Sequence, residues 1–383
     1  MSLVLTLNAG SSSLKFALYE ATDDPGAIVA GTAELGERAT LRIDGDPEPR
    51  AVVGGGHADA VRAVLALADE RADGRPVAAI GHRIVHGGEA FSAPAVLDDD
   101  AIGRLRALTS LAPLHQPHNL AGVDAARAAH PDALQVGCFD TAFHRTQLMV
   151  EDAYALPREL TGSGIRAYGF HGLSYTFVAG ELARSFPDIA EGRVIVAHLG
   201  NGASMCAMRG GRSVASSMGF SPLDGLVMGT RSGSLDPAVL LHLLDRGMSA
   251  REIETLLYRR SGLLGVSGLS NDMRELERAA GEGHEGAALA IDMFCYRARR
   301  MIGSLAAALG GVDALVFTAG IGENSPTVRA NICDGLEWMG IEIDATKNNA
   351  GGEIGAGDVR VITMATDEER VIARAAIDAL NTS

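Results

Sequence analysis

The residues best suited to chemistry in this 383-residue chain are a few arginines, histidines and carboxylates set among glycines. Arg83 stands in Gly81-His-Arg-Ile-Val-His-Gly-Gly-Glu89, and Arg231 in Met228-Gly-Thr-Arg-Ser-Gly233. A guanidinium grips a carboxylate or a phosphate through two parallel N–H bonds. Upstream of Arg231 lies His198-Leu-Gly-Asn-Gly202, and near the N-terminus Asn8-Ala-Gly-Ser-Ser-Ser-Leu-Lys15 offers hydroxyls, backbone N–H groups and a cation. Either turn alone is an ordinary polar hairpin. As a pair they form two opposed loops fit for phosphate, because glycine lets a phosphate reach backbone N–H groups without meeting a side chain.

The elements around these residues follow from periodicity. Apolar residues over 194–197 run into Gly200-Asn201-Gly202, and alternation resumes through 203–208 before a second turn at Gly210-Gly211. This predicts strand, tight turn and returning strand, with positive φ in the first turn. The N-terminal stretch has the same plan, with strands over 3–7 and 14–19, and further strands over 28–33 and 40–44. A helix is expected over 58–72, a strand over 77–80, helices over 99–108 and 119–129, and a strand over 134–139 that ends at Asp140. Later come helices over 237–244 and 286–309, a capping box at Ser249, strands over 314–318 and 359–364, a helix start at Ser325-Pro326, and a closing amphipathic helix through Leu380. Two copies of hairpin plus alternating α and β predict a duplicated α/β fold with a central cleft. The boundary falls after Asp140, and the terminal helix crosses back to the first half.

Composition narrows the function. Glycine is 47 of 383 residues, clustered between apolar strands, which marks turns that approach a ligand and not disorder. The formal charge of −15 argues against nucleic acid or an anionic membrane as partner. No apolar run approaches a membrane span, and the N-terminus lacks the basic start of a signal peptide. Cys138, Cys206, Cys295 and Cys333 have no metal-ligand spacing and read as buried thiols of a reducing cytoplasm. There is no Gly-x-x-x-x-Gly-Lys-Ser/Thr phosphate loop, and Gly320-Ile-Gly322 lacks the third glycine of a dinucleotide fingerprint.

Seven motifs in order carry a family resemblance: Leu7-Asn-Ala-Gly-Ser-Ser-Ser-Leu-Lys15, Gly81-His-Arg-Ile-Val-His-Gly-Gly-Glu89, Phe139-Asp-Thr-Ala-Phe-His144, Tyr168-Gly-Phe-His-Gly172, His198-Leu-Gly-Asn-Gly202, Met228-Gly-Thr-Arg-Ser-Gly233 and Phe317-Thr-Ala-Gly-Ile-Gly-Glu-Asn324. From Leu7 to the final helix the chain resembles the acetate kinase family of the sugar kinase/Hsp70/actin-like superfamily. That implies a duplicated actin/ribonuclease-H-like fold, with 1–141 plus 367–383 as the first lobe and 142–366 as the nucleotide-binding lobe. It also implies transfer of a phosphoryl group from MgATP to acetate, giving acetyl phosphate and ADP, in a cytoplasmic homodimer. The residues agree: a carboxylate acceptor is already ionised at neutral pH and needs cations more than a general base.

By resemblance Arg83 contacts the carboxyl substrate, while Arg231 and His171 stabilise the transferring phosphoryl and Asp140 is a catalytic carboxylate. Val85, Leu114, Phe170 and Pro222 form the methyl pocket, lined also by His115. Asn8 and Glu368 match magnesium-holding positions, where Mn2+ could substitute. Nucleotide falls to Lys15, to His198, Leu199, Gly200, Asn201 and Gly202, to Asp272, Met273 and Arg274, and to Gly320, Ile321, Gly322, Glu323 and Asn324. Gln116 and His118 stand where the family usually has asparagine and proline; Leu173, Tyr175 and Asp367 depart from its threonine, histidine and asparagine. The first pair borders the pocket, so propionate stays open as an alternative acceptor, one methylene being worth only about 1–3 kcal/mol. A nucleotide-driven conformational protein of the actin or Hsp70 kind is the alternative from another class.

Overall fold

Strand β1 (Leu3–Ala9) is apolar on both faces because it lies inside a sheet, with Leu3, Val4 and Leu5 wholly buried. The computed structural model describes residues 2–10, 13–22, 25–113 and 115–382. β1 pairs antiparallel with β2 (Ser13–Glu20), and β3 (Ala27–Glu34), β4 (Thr40–Ile43) and β5 (Arg50–Ala51) continue that edge. On the other side β1 pairs parallel with β6 (Val77–Ile84). Two more strands, β7 (Ala95–Val96) and β8 (Leu134–Phe139), complete the order β5-β4-β3-β2-β1-β6-β8-β7.

A second sheet holds β9 (Arg193–Leu199), β10 (Ala203–Arg209), β11 (Arg212–Ser216), β12 (Ala314–Thr318) and β13 (Arg360–Thr363), in the order β11-β10-β9-β12-β13. β11, β10 and β9 are antiparallel neighbours and β9, β12 and β13 are parallel ones. The run β3-β2-β1-β6-β8 has the same pattern, so the expected duplication is present. Contacts divide the chain into one unit of Met1–Arg145 with Asp367–Ser383 and another of Thr146–Thr366.

In the first unit the closing helix Glu368–Thr382 lies on β1, β6 and β8 through Ile372, Ala373, Ala376 and Ile377. Gly81 in β6 permits this approach, since a Cβ there would collide with Ile372. In the second unit the helix Glu285–Leu309 buries Ala287, Ile291, Phe294, Ala298, Ile302 and Leu305 at helical spacing. Gly310 ends it in the left-handed conformation at φ 71°.

Three local expectations need correction. β6 runs on to Ile84 instead of ending at residue 80, so Arg83 is a strand residue. The polar run His82-Arg83 stays in the strand because distant partners satisfy it, as described below. The Gly200-Asn201-Gly202 turn closes with Gly200 N–H donating to Gly202 O at 3.0 Å, and none of the three residues has positive φ. Left-handed backbone falls instead at Gly210 and Gly211, with φ 57° and 66°. Residues after β12 form a short helix, Ala319–Asn324, where only a motif was read. The four cysteines are buried and free, and burial pushes each thiol up to about 12.

Candidate active site

Arg83 and Asp140 meet because β6 and β8 are parallel and in register, Arg83 opposite Cys138, so the residue just past the end of β8 comes beside Arg83. Arg83 Nη2 donates to Asp140 Oδ2 at 2.6 Å, and its Nε lies 3.0 and 3.1 Å from the two carboxylate oxygens. Arg83 Nη1 donates to Asn8 Oδ1 at 3.2 Å. Asn8 Nδ2 in turn donates to Glu368 Oε2 at 3.0 Å and Glu369 Oε1 at 2.9 Å, both in the first turn of the closing helix. Lys15 is exposed on β2, opposite Asn8.

Electrostatics bind this cluster together. Burial opposes the charge on Arg83, but Asp140, Glu368 and Glu369 hold its pKa above the ordinary value. Burial pushes the Asp140 carboxyl up, and Arg83 pulls against that. Glu369 is likewise raised by burial and by Glu368, with Lys15 and the Asn8 bond opposing. Crowded, dehydrated carboxylates of this kind call for a cation.

Nearby, Val85 is buried and its N–H donates to Asn119 Oδ1 at 3.0 Å. His115 is half-buried at the start of the helix Gln116–Ala129. Gln116 donates to His86 O and Leu105 O, while its buried Oε1 has no hydrogen-bond partner. His118 stacks on His57 at 4.5 Å. Leu114 lies outside the described residues, as do Ser11 and Ser12 of the N-terminal motif.

The second unit assembles another group. His171 precedes the helix Gly172–Ser185 in a left-handed conformation, φ 59° and ψ 25°, uncommon for a non-glycine residue and frequent at functional sites. Its ring stacks on His198 at 4.3 Å, and its Nδ1 lies 2.8 Å from Ser204 Oγ on β10. Arg231 Nη1 donates to Pro222 O at 2.9 Å. A Cβ placed on Gly202 would lie 3.3 Å from His171 Nε2 and 3.8 Å from Arg231 Nη1. A side chain at Gly202 would crowd the His171 ring. Phe170 and Pro222 are buried in this unit.

The nucleotide candidates gather around the same turn. Asn201 Oδ1 accepts from Asn271 Nδ2 at 3.0 Å, and Gly229 N–H donates to Asn201 O at 2.9 Å. Asp272 caps the helix Met273–Gly281, and Arg274 folds back onto it at 2.6 Å. Met273 itself is buried core. A Cβ on Gly200 would touch Ala319 Cβ at 3.8 Å, and one on Gly322 would lie 3.5 Å from Ala197 O. Leu199 is wholly buried, and His198 Nδ1 lies 2.9 Å from Ser174 Oγ. Glu323 Oε1 accepts from Thr366 N–H at 3.3 Å, and Asn324 Nδ2 donates to Gly320 O at 2.9 Å. Ile321 is half-buried in the same turn. Lys15 lies in the first unit.

Several partners went unread in the sequence. Glu369 had a signal, its place beside Glu368 in a helix first turn. Ser204 and Tyr175 had none as partners of His171. Nor did Arg329, a buried arginine that donates to Gly322 O and Glu323 O at 2.8 Å and so supports the short helix from below.

Among the described residues no three His, Cys, Asp or Glu side chains converge as a metal cage. The Glu368 and Glu369 pair suits a hard divalent ion that takes its other ligands from phosphate and water, as magnesium does. No helix among the described residues is long and apolar enough to cross a membrane.

The sheet pattern repeated in the two units is the duplicated α/β fold of the actin-like class. The chain belongs to the acetokinase family, whose pattern matches residues 3–374. It is 49% identical over 392 residues to a protein named acetate kinase from Rhodopseudomonas palustris (strain TIE-1), covering 97% of each. Its fold matches the crystal structure of a propionate kinase from Francisella tularensis, with TM-score 0.92 and 39% identity over 98% of this chain and 99% of that one. The Porphyromonas gingivalis acetate kinase structure gives TM-score 0.89 and 39% identity, covering 99% of this chain and all of that one.

Proposed function

We propose that this protein moves the γ-phosphoryl of ATP to the carboxylate of acetate, directly and reversibly, giving acetyl phosphate and ADP. The observation that carries the proposal is the convergence of His171 Nε2 and Arg231 Nη1 on Gly202. A guanidinium and an imidazole nitrogen near a residue without a side chain suit the equatorial oxygens of a phosphoryl in transit. An acetate oxygen forms the new P–O bond as the bond to the β–γ bridging oxygen breaks, and that oxygen's electron pair leaves with ADP. No proton moves.

Arg83 holds the acetate carboxylate in this reading, and Asp140 holds Arg83. Val85 and His115 are the first unit's candidates for contact with the methyl group, and Phe170 and Pro222 the second unit's. The nucleotide lies against residues 198–202, 272–274 and 320–324 of the second unit. Magnesium, or manganese in its place, is held at Glu368 beside Asn8 and neutralises the phosphate chain. Acetate is the acceptor in this reading, supported by the relative at 49% identity that is named acetate kinase; of the two solved structures at 39% identity, one is named for each acid.

The protein acts in the cytoplasm as a homodimer. The helix Pro237–Asp245 supports the dimer, since its sequence is mostly apolar and none of its residues is buried. A second copy would cover it. Incubation with MgATP and acetate, with hydroxylamine to trap acyl phosphate, should yield acetohydroxamate in step with ADP. ADP and free phosphate without hydroxamate would contradict the proposal.

A further inference from the structure

The His171 ring has a built support that the transfer reaction alone does not explain. Ser204 Oγ lies 2.8 Å from His171 Nδ1, and Tyr175 Oη lies 2.5 Å from the same Ser204 Oγ. Ser204 and Tyr175 are both wholly buried, one on β10 and one on the first turn of the helix that His171 begins. We infer that Tyr175 and Ser204 form a positioning relay that fixes the tautomer of His171, the phenol donating to Ser204 and Ser204 donating to Nδ1.

The direction follows from chemistry. A serine hydroxyl carries one proton and can donate once. Of the two hydroxyls the phenol is the stronger acid, so in a short bond between them Tyr175 donates and Ser204 accepts. Burial keeps Tyr175 protonated, its pKa well above the ordinary value. The Ser204 proton is then directed at Nδ1, which must accept it, and the ring proton sits on Nε2. That is the atom nearest Gly202. Arg231 bears only on the charge of the ring: a guanidinium nearby disfavours a charged imidazolium, while the choice of nitrogen is left to Ser204. A neutral ring donating from Nε2 can bond an anionic phosphoryl oxygen without gaining or losing a proton during transfer. The left-handed backbone of His171 brings this ring close to the turn at Gly202, and the relay settles which nitrogen donates.

The catalytic meaning rests on the proposed function, but the tautomer does not, and the test separates them. With histidine labelled in nitrogen-15, the imidazole spectrum of the full-length protein assigns the His171 tautomer directly. The expected result is a neutral ring protonated on Nε2 in the wild type, and loss of that fixed state in Tyr175→Phe and in Ser204→Ala. Tyr175→Phe keeps the ring volume, so thermal unfolding should change little. Its kcat should fall about tenfold, roughly one buried hydrogen bond's worth, with KM values near wild type and the acid limb of the kcat–pH profile moved. Tyr175→His, which restores a donor, should recover part of the loss. A His171 ring protonated on Nδ1 in the wild type, or an unchanged tautomer in both variants, overturns the relay. A correct tautomer without acyl-phosphate formation overturns only the proposed function.

Discussion

Arg83 and Asp140 make a buried, fork-like ion pair, 2.6 Å at its shortest, between the ends of two parallel strands. Asp140 side-chain exposure is 2% and that of Arg83 is 17%, so neither charge is easily screened. Removing one partner strands the other. Asp140→Ala should therefore destabilise the first unit by about 3–5 kcal/mol, read by urea unfolding, and should raise KM for acetate as Arg83 loses its orientation. Unchanged stability with unchanged KM would show that the pair does neither job.

Arg231→Ala tests the second unit. An arginine acting on the migrating phosphoryl is worth about 10³–10⁵ in kcat, while ground-state nucleotide binding should weaken little. The check is steady-state kinetics beside calorimetric ADP binding. A variant with near-normal kcat removes Arg231 from the chemistry.

The two buried histidines of β6 and its following turn predict the acid response. His82 donates from Nε2 to Gln135 Oε1 at 2.8 Å, and burial lowers its pKa from 6.5 to about 4. His86 is also lowered to about 4, by burial and by Arg145. Between pH 6.5 and 4 the unfolded chain binds protons that the folded chain does not, so stability is full above 6.5 and falls as pH drops through that window. For His82 alone this amounts to about 3 kcal/mol. His82→Gln, measured by urea unfolding at pH 7 and pH 5, should flatten the dependence. An identical slope in the variant would contradict the burial argument.

Glu368→Gln should raise the magnesium concentration for half-maximal activity by at least about tenfold, the lower range for loss of a group that supports a metal. Saturating magnesium should restore much of kcat. Equal magnesium dependence in wild type and variant would move the metal elsewhere.

How much of this was legible depended on where partners lie along the chain. β8 and β12 were read at their observed bounds, because short, mostly apolar runs ending in polar residues mark buried strands. Ser249 and Ser325 revealed helix starts, since a cap acts within three residues. The end of β6 was not legible: His82 and Arg83 look like loop residues until Gln135 and Asp140, more than fifty positions away, neutralise their cost of burial. Gly202 was read as a turn residue, but it serves the approach of the His171 ring, which only tertiary structure shows. Likewise Asn8 reads as a phosphate-loop residue, while its amide bridges Arg83 to two glutamates on the last helix.

The dimer has a simple test on the helix Pro237–Asp245. Leu241 is 62% exposed in the single chain. Leu241→Glu should convert the protein to a monomer in light scattering at micromolar concentration, because a charge buried against a second copy cannot be hydrated. A variant of wild-type mass would place the interface elsewhere.

The most direct test of the central claim is kcat/KM for acetate, propionate and butyrate with MgATP in the wild-type protein, followed by hydroxamate formation. Acetate should lead propionate by about tenfold, the lower end of one methylene's worth, with butyrate lower still. Propionate equal to or better than acetate would contradict the assignment of acetate as substrate, and no hydroxamate with any of the three would contradict carboxylate phosphorylation itself.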